Sequence, residues 1–365
     1  MKVAHLSSAH TRNDTRIFIK QCRSLAFYGY EVTLIVADGQ GDEFKEKVNI
    51  IDVGNLPGRF NRIFKTTIRV LKMAIKLDAD LYHFHDPELL LAGIMLKLRG
   101  KKVIFDMHEN LAAQIRDKEW IPGLFRGLLS IICKLVQIII LPIFDNIVLA
   151  EACYSEIWLP GCKTTTIKNF PILSEFSNNI PKSSVKENAV CYIGGVTYIR
   201  GLKEMVLATN KAKVKLILAG PCSEETFKDI SSYTEWSTTE FLGRVGRKEV
   251  ASIFSRSIAG LVVLHPSPNY ITTEPTKMFE YMAAGIPVIA SNFPLWSNII
   301  KDNDCGLSVD PLDPQAIAAA INFMINNPKL VQQMGEKGKR AVVERYNWGI
   351  EEAKLINLYK SLLED

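Results

Sequence analysis

The chain lacks paired cysteine motifs: none of its seven cysteines falls in a CxxC or in a Cys/His ligand spacing, and the count is odd. That excludes a zinc module and a disulfide framework, and it reads as reduced, mostly buried thiols in a cytosolic protein. Two phosphate-binding fingerprints are missing as well, GxGxxG and GxxxxGK followed by Ser or Thr. Their absence argues against a P-loop NTPase and disfavours a dehydrogenase. Charge of one sign is also scarce, since +5 over 365 residues makes no case for a nucleic-acid partner. No apolar run reaches the ~20 residues of a spanning helix. The most lipid-like stretch, Gly127 to Ala150, is interrupted by Lys134, Gln137, Pro142 and Asp145, and is expected to be a buried helix followed by a buried strand. The opening MKVAHLSS runs directly into a strand pattern, so no signal peptide is expected.

What is present is the composition of a soluble globular protein, 47% hydrophobic and 23% charged, at a length that favours two domains. Short β-branched runs alternate with amphipathic segments along nearly the whole chain. Strands are expected at 2–7, 31–37, 48–53, 81–85, 102–108 and 146–151, and the rhythm restarts at 188–195, 214–220, 239–245, 260–266, 287–291 and 306–310. Helical patterns between them predict parallel sheets with crossovers, hence an α/β protein of two Rossmann-like, doubly wound domains. Residues 1–170 form the first domain, polar and proline-containing 171–187 a linker, 188–347 the second domain, and 348–365 a closing helix. Ligands of open α/β sheets bind beyond the carboxyl ends of the strands, so the two domains are expected to face one another across a ligand-binding cleft.

Those strand ends are rich in chemistry. The first strand is followed by His10, Arg12, Asp14 and Arg16, the 81–85 strand by His85, Asp86 and Glu88, and the 102–108 strand by His108 and Glu109. Five of six histidines lie at these ends or in their strands. A single histidine is usually a satisfied structural group; convergence of three strand ends on one sheet edge favours a site. In the second half, Gly194 and Gly195 permit close backbone approach and are followed by Arg200 and Lys203, a combination suited to phosphate. Further on, the stretch TTEPTKMFEYMAAGIPVIAS predicts a helix with Pro275 in its first turn and free N–H groups near Thr276 and Lys277. Lys277 and Glu280 then share one face: the cation suits a diphosphate, and the carboxylate one turn on can accept both hydroxyls of a ribose. The alternative is an ordinary i,i+3 surface pair. Asp78–Asp80 looks like a metal-binding DxD but precedes a strand, at the wrong end of the sheet, and Asp302–Asp304 reads as a turn.

The segments PTKMFEYMAAGIPVIAS, GLVVLHPSPNY and YIGGVTYIRG resemble the donor half of GT-B glycosyltransferases of family 4. HTRNDTRIF, YHFHDPE and FDMHEN resemble the acceptor half of its bacterial polysaccharide members. The resemblance runs in order over essentially the entire chain. It implies a GT-B fold whose C-terminal helix crosses back to the N-terminal domain. It further implies transfer of a glycosyl group from a nucleoside diphosphate sugar, UDP-linked by preference, to a hydroxyl of a glycan or polyprenyl-linked acceptor, with retention, in cell-surface polysaccharide synthesis. Glu280 would bind the ribose, Arg200 the diphosphate and His108 the transferred sugar. The catalytic set is then His108, Arg200 and Lys277; the donor-binding set is Gly194, Gly195, Arg200, Arg244, Glu274, Thr276, Lys277 and Glu280. His10, Arg12, Asp14, Arg16, His85 and Asp86 lie on the acceptor side. No cofactor or metal is implied, because Arg200, Lys277 and helix amides can carry the leaving charge.

Two positions depart from the family pattern. Gly195 stands where many members have an arginine, and Thr272 where many have an acid, the nearest acid being Glu274. Two rivals therefore stay open, a sugar-nucleotide 2-epimerase of the same shape and a non-catalytic sugar-nucleotide-binding subunit. RFNRIFKTTIRVLKMAIK, with Arg59, Arg62, Lys65, Arg69, Lys72 and Lys76 set among apolar residues, reads either as a basic amphipathic helix for an anionic membrane surface or as a packed helix with a solvated face. The expected location is cytoplasmic, with peripheral contact at the cytoplasmic face of the membrane.

Overall fold

The computed structural model describes residues 1–108, 115, 122–156, 160–177 and 187–364. They divide into two compact units, Met1–Asn169 with Trp348–Asp365, and Phe170–Asn347. The first unit is built on an eight-stranded sheet: β1 (Lys2–Leu6), β2 (Glu31–Val36), β3 (Glu43–Lys45), β4 (Val48–Asp52), β5 (Leu81–Phe84), β6 (Lys102–Met107), β7 (Asn146–Leu149) and β8 (Thr164–Thr166). The spatial order is β3-β4-β2-β1-β5-β6-β7-β8, parallel except for β3. Strands such as LYHF and NIVL are buried throughout, as expected when both faces of a parallel sheet are covered.

Chain direction across this sheet decides which face each connection covers. The β4–β5, β5–β6 and β6–β7 connections, carrying helices Thr67–Leu77, Leu90–Lys97 and Gly123–Ile140, all move the same way. Right-handed crossovers place them together on one face. Val70, Ala74, Ala92, Leu96, Leu141 and Phe144 pack there in one cluster with the strands. The β1–β2 connection, Thr15–Cys22 continued by Arg23–Phe27, moves the other way and so covers the opposite face. The closing helix Trp348–Leu363 packs beside it, Trp348 Nε1 donating to Ser24 Oγ at 3.0 Å. The C-terminal helix thus returns to the N-terminal unit.

The second unit carries a six-stranded parallel sheet, β9 (Ala189–Ile193), β10 (Lys215–Ala219), β11 (Thr239–Phe241), β12 (Ala259–Val262), β13 (Val288–Ser291) and β14 (Gly306–Val309), in the order β11-β10-β9-β12-β13-β14. Each sheet reverses direction once beside its first strand, between β1 and β5 and between β9 and β12. These are the switch points where a doubly wound sheet opens a crevice.

Every strand read from the sequence is found, and two were not anticipated: β3, a short polar edge strand, and β8, three threonines. Two expectations need correction. Phe170 and Phe176, the latter in the short helix Ser174–Ser177, are buried in the core of the second unit, so the start of the expected linker is packed structure; 178–186 lie outside the described residues. The Gly123–Ile140 helix is largely exposed, where a buried helix was expected.

Candidate functional site

In the second unit, β9 ends in Gly194 and Gly195, and the space where their side chains would be is taken by two cations. A Cβ on Gly194 would lie 2.1 Å from Cε and 2.8 Å from Nζ of Lys277; one on Gly195 would lie 2.7 Å from Nη1 of Arg200. Gly194 also has φ +155°, so a side chain there is excluded on two counts. Each glycine therefore seats one cation over the end of the strand.

Lys277 belongs to the Thr276–Ala284 helix, which starts directly after Pro275 with no side-chain cap. Met278 N–H bonds back to Pro275 O at 3.0 Å, which leaves the amides of Thr276 and Lys277 without an intrahelical acceptor. One turn on, Tyr281 is buried and its hydroxyl accepts from Ile193 N–H at 3.2 Å. That contact ties the helix to the last residue of β9 and sets the register of Lys277 over Gly194. Glu280 is half-buried on the same helix. Burial holds the Lys277 ammonium below its ordinary pKa; Glu280 opposes that shift and Arg200 adds to it.

Burial opposes the charge on Arg200, while the neighbouring hydroxyls of Tyr192 and Tyr270 favour it and raise its pKa. Tyr270 comes from the short helix Pro268–Thr272, capped by Ser267, whose Oγ accepts from Tyr270 N–H at 3.2 Å. Thr272 is exposed and bonds back to Pro268 O at 3.1 Å. Glu274 is half-buried; the residue before it is anchored by Trp296 Nε1, which donates to Thr273 O at 2.7 Å. Arg244 follows the edge strand β11, is exposed, and makes no hydrogen bond or ion pair among the described residues. Tyr192, Tyr270 and Tyr281 were not read from the sequence; Ser267 followed by Pro268 was the available signal for the extra helix.

In the first unit the switch point between β1 and β5 brings His10 and Asp86 together. The Asp86 carboxylate accepts from Ser8 N–H at 2.6 Å, Ser7 Oγ at 2.8 Å and Ala9 N–H at 3.2 Å, and lies 2.9 Å from His10 Nδ1. These partners hold its pKa well below the usual carboxylate range even though burial works against it. His108, after β6, packs edge-on to His10 with centroids 5.1 Å apart. Its Nδ1 is buried with no hydrogen-bond partner among the described residues, and burial lowers its pKa. Beside His10 lies a cavity of about 450 Å³, lined by Ser8, Asp38, Gln40, Asn55 and Arg62 among others.

The Glycosyltransferase Family 4 model matches residues 16–148 and the model for glycosyl transferases group 1 matches 174–341. The chain belongs to the family 4 glycosyltransferases. It is similar to an uncharacterized glycosyltransferase of Haemophilus influenzae, 22% identical over 95% of each chain. The match spans about half the length of the first curated relatives, among them an uncharacterized glycosyltransferase of Methanocaldococcus jannaschii, 25% identical over 49% of this chain and 46% of that one. Among solved structures, sucrose-phosphate synthase from Thermosynechococcus elongatus is similar in fold, with TM-score 0.79, 18% identity and coverage of 100% and 99%. Anabaena HepE in complex with UDP and glucose has TM-score 0.71 at 14% identity, covering 99% of this chain and 100% of that one. The fold is GT-B.

Several residues assigned by sequence to the acceptor side of this family 4 member are framework groups instead. Arg12 is buried, its guanidinium on Asp38 at 2.7 and 2.9 Å and on Glu43 at 3.1 Å. Asp14 caps the helical segment that follows, accepting from Arg16 and Ile17 N–H. Arg16 is buried on Asp106 through two bonds, 2.9 and 2.7 Å, and on Ile167 O. His85 is fully buried, Nδ1 3.1 Å from Asp106 and Nε2 2.9 Å from His5 Nδ1. Asp86 is buried and holds the 7–10 loop. Arg12, Arg16, His85 and Asp86 are buried in these contacts, while Asp14, His10 and His108 are half-buried. Glu109 lies outside the described residues. Asp78 pairs with Lys101, and Asp80 accepts from Lys2 N–H.

His5 and His85 extend into a longer chain. Tyr359 of the closing helix has its hydroxyl 3.0 Å from His5 Nε2 and 2.9 Å from His83 Nδ1. Each link joins one donor to one acceptor, so the tautomer of one ring fixes those of the others. Burial holds His5 and His83 well below the ordinary histidine pKa.

Proposed function

We propose that this protein transfers a glycosyl group from a nucleoside diphosphate sugar, UDP-linked by preference, to a hydroxyl of a glycan or lipid-linked glycan, with retention, in cell-surface polysaccharide synthesis. The observation that carries the reading is the pair of cations seated over Gly194 and Gly195, beside the amides of Thr276 and Lys277, which have no acceptor among the described residues. A diphosphate is the ligand whose charge and size match two cations and a helix N-terminus at one strand end. In this reading Arg200 and Lys277 stabilise the negative charge that develops as the sugar–phosphate bond breaks, without a metal. The acceptor hydroxyl attacks the same face of the sugar and passes its proton to the departing phosphate. Glu280 holds the ribose hydroxyls, Glu274 stands in for the acid absent at Thr272, and Arg244 extends the donor side. His108, with its unpartnered Nδ1, contacts the transferred sugar. His10 and the neighbouring cavity serve the acceptor, and the basic segment 59–76 gives peripheral contact with the inner membrane surface of the cytoplasm.

The test is a thermal-shift screen of UDP-, GDP- and ADP-sugars at millimolar concentration, since stabilisation follows ligand concentration over affinity. It is followed by measurement of free nucleoside diphosphate with and without a glycan acceptor. Acceptor-dependent release is expected. Epimerisation without acceptor, or binding without turnover, would replace this reading with the 2-epimerase or the non-catalytic binding subunit.

A further inference from the structure

The Gly123–Ile140 helix is built inside out. Among the described residues Ser130 and Gln137 are its buried ones, and Arg126, Cys133, Ile138 and Ile140 are half-buried. The stripe turned toward the protein is therefore polar from Arg126 to Gln137 and becomes apolar only at the last turn. The opposite side carries Leu128, Leu129, Ile131, Ile132, Leu135 and Ile139, all exposed, with Ile139 71% accessible. A water-facing helix of a globular domain has these two faces reversed, and an exposed apolar surface of this extent marks an interaction site.

The apolar surface continues onto its neighbours. Leu91, Met95 and Leu98 are exposed on and just after the Leu90–Lys97 helix, and Phe60, Phe64 and Ile68 on the segment running into Thr67–Leu77. All three connections share one face of the sheet by handedness, and contacts confirm their adjacency. Gly93 packs on Phe144, directly beyond the inverted helix, Lys97 pairs with Asp145 at 2.8 Å, and Arg62 pairs with Glu88 at 2.8 Å.

Charge around this face has one sign. Lys65, Lys72 and Lys76 are exposed with no acidic partner among the described residues, and Pro122 to Phe144 holds Arg126 and Lys134 but no acid. The nearby acids Glu88 and Asp145 are already paired with Arg62 and Lys97. A two-fold contact between copies would bring like charges together; an anionic lipid headgroup layer would neutralise them.

We propose that this face of the first unit docks on an anionic lipid bilayer, with the Gly123–Ile140 helix lying in the interfacial plane and the lysines on the headgroups. The helix does not span. By length and composition Phe125–Ile143 could cross a membrane, but the helix lies in the chain between β6 and β7, neighbours paired from Ile104–Asn146 to Met107–Leu149. A single crossing would put these two strands on opposite sides of the bilayer. Its ~27 Å length therefore lies along the membrane surface. The inference deepens the lipid-linked acceptor reading and is independent of the donor chemistry.

The experiment is detergent-free flotation of the full chain with vesicles of phosphatidylcholine alone or mixed equally with phosphatidylglycerol. The chain is expected to float with the anionic vesicles, less so at high salt. The triple variant Leu128→Asp, Ile132→Asp, Leu135→Asp is expected to partition roughly tenfold or more weakly. These residues are exposed, so unchanged thermal unfolding and UDP binding confirm that the variant is folded. Wild type that stays in the lipid-free fraction, or a variant that floats equally well, overturns the proposal. A dimer in sedimentation that the same substitutions dissociate, without vesicle binding, would assign the face to a second copy. Flotation retained in a protein that binds no sugar nucleotide would overturn the transferase reading and leave this one standing.

Discussion

Lys277 lies in the side-chain space of Gly194: a Cβ on the glycine would stand 2.1 Å from the lysine's Cε. The seat and its occupant come from segments more than eighty positions apart in sequence, joined by Tyr281 accepting from Ile193 N–H. Gly194→Ala is expected to displace Lys277 and strain a backbone at φ +155°, weakening UDP binding by about 1–3 kcal/mol. Gly195→Ala meets only the mobile end of Arg200 and should cost less. Calorimetry with UDP checks both, and equal affinities for wild type and Gly194→Ala would refute the seat.

Glu280→Ala is expected to remove a charge-assisted bond to the ribose, worth about 1.5–3 kcal/mol, or roughly 10- to 100-fold in Kd. The comparison of UDP with 2′-deoxy-UDP is the sharper measurement. Wild type should discriminate between them and the variant should not.

His108→Ala should leave UDP affinity nearly intact and slow transfer. Single-turnover release of UDP at saturating donor separates the two effects, and a parallel loss of donor affinity would move His108 out of the sugar contact.

The lowered pKa of Lys277 sets a pH dependence with a definite sign. In the free protein the ammonium loses its proton below the ordinary 10.5, and a bound diphosphate restores it. UDP affinity should therefore fall with rising pH in the alkaline range below 10.5, well above the pH at which phosphate ionisation (second pKa ≈ 6) is complete. Proton uptake on binding, read by calorimetry in buffers of different ionisation enthalpy, should appear in the same range. Lys277→Gln should bind more weakly and lose the dependence.

His5 and His83 predict acid sensitivity. Their folded pKa values lie below the unfolded 6.5, so the unfolded chain binds more protons as pH falls. Stability is complete above 6.5 and is lost below it, at up to ~1.4 kcal/mol per pH unit for each ring. Denaturant titrations from neutral pH down to the acid range measure this slope. Tyr359→Phe leaves both rings without that hydroxyl, at a cost of about 1–3 kcal/mol for each buried unpaired group.

The strands were legible because parallel sheets covered on both faces produce near-continuous apolar runs, as in KLILA and VIAS. Edge strands such as β3, EFK, carry no such signal. The charge-dense 10–16 segment looked like a site because sequence shows charges but not their partners. Asp38, Glu43 and Asp106, which satisfy Arg12 and Arg16, lie 26, 31 and 90 positions away. Hydropathy likewise reports that 123–140 is apolar but not which side faces out. The overlooked signal was the polar stripe Arg126, Ser130, Cys133 and Gln137 at helical spacing. At Gly195 the missing arginine suggested a lost contact, whereas the absent side chain is what lets Arg200 lie there.

The hydroxyl of Tyr359 meets a histidine 354 positions earlier, which has a consequence for biosynthesis. At roughly 5–20 residues per second, the ribosome delivers that tyrosine on the order of 20–70 s after His5. Through that interval β1 and β5 hold imidazoles lacking a hydroxyl partner, while Phe170–Asn347 can mature as a contiguous piece. A fragment cut after Asn169 would keep those rings permanently open to protonation, and a minimal N-terminal fragment should be made by circular permutation, with Trp348–Leu363 grafted ahead of Met1.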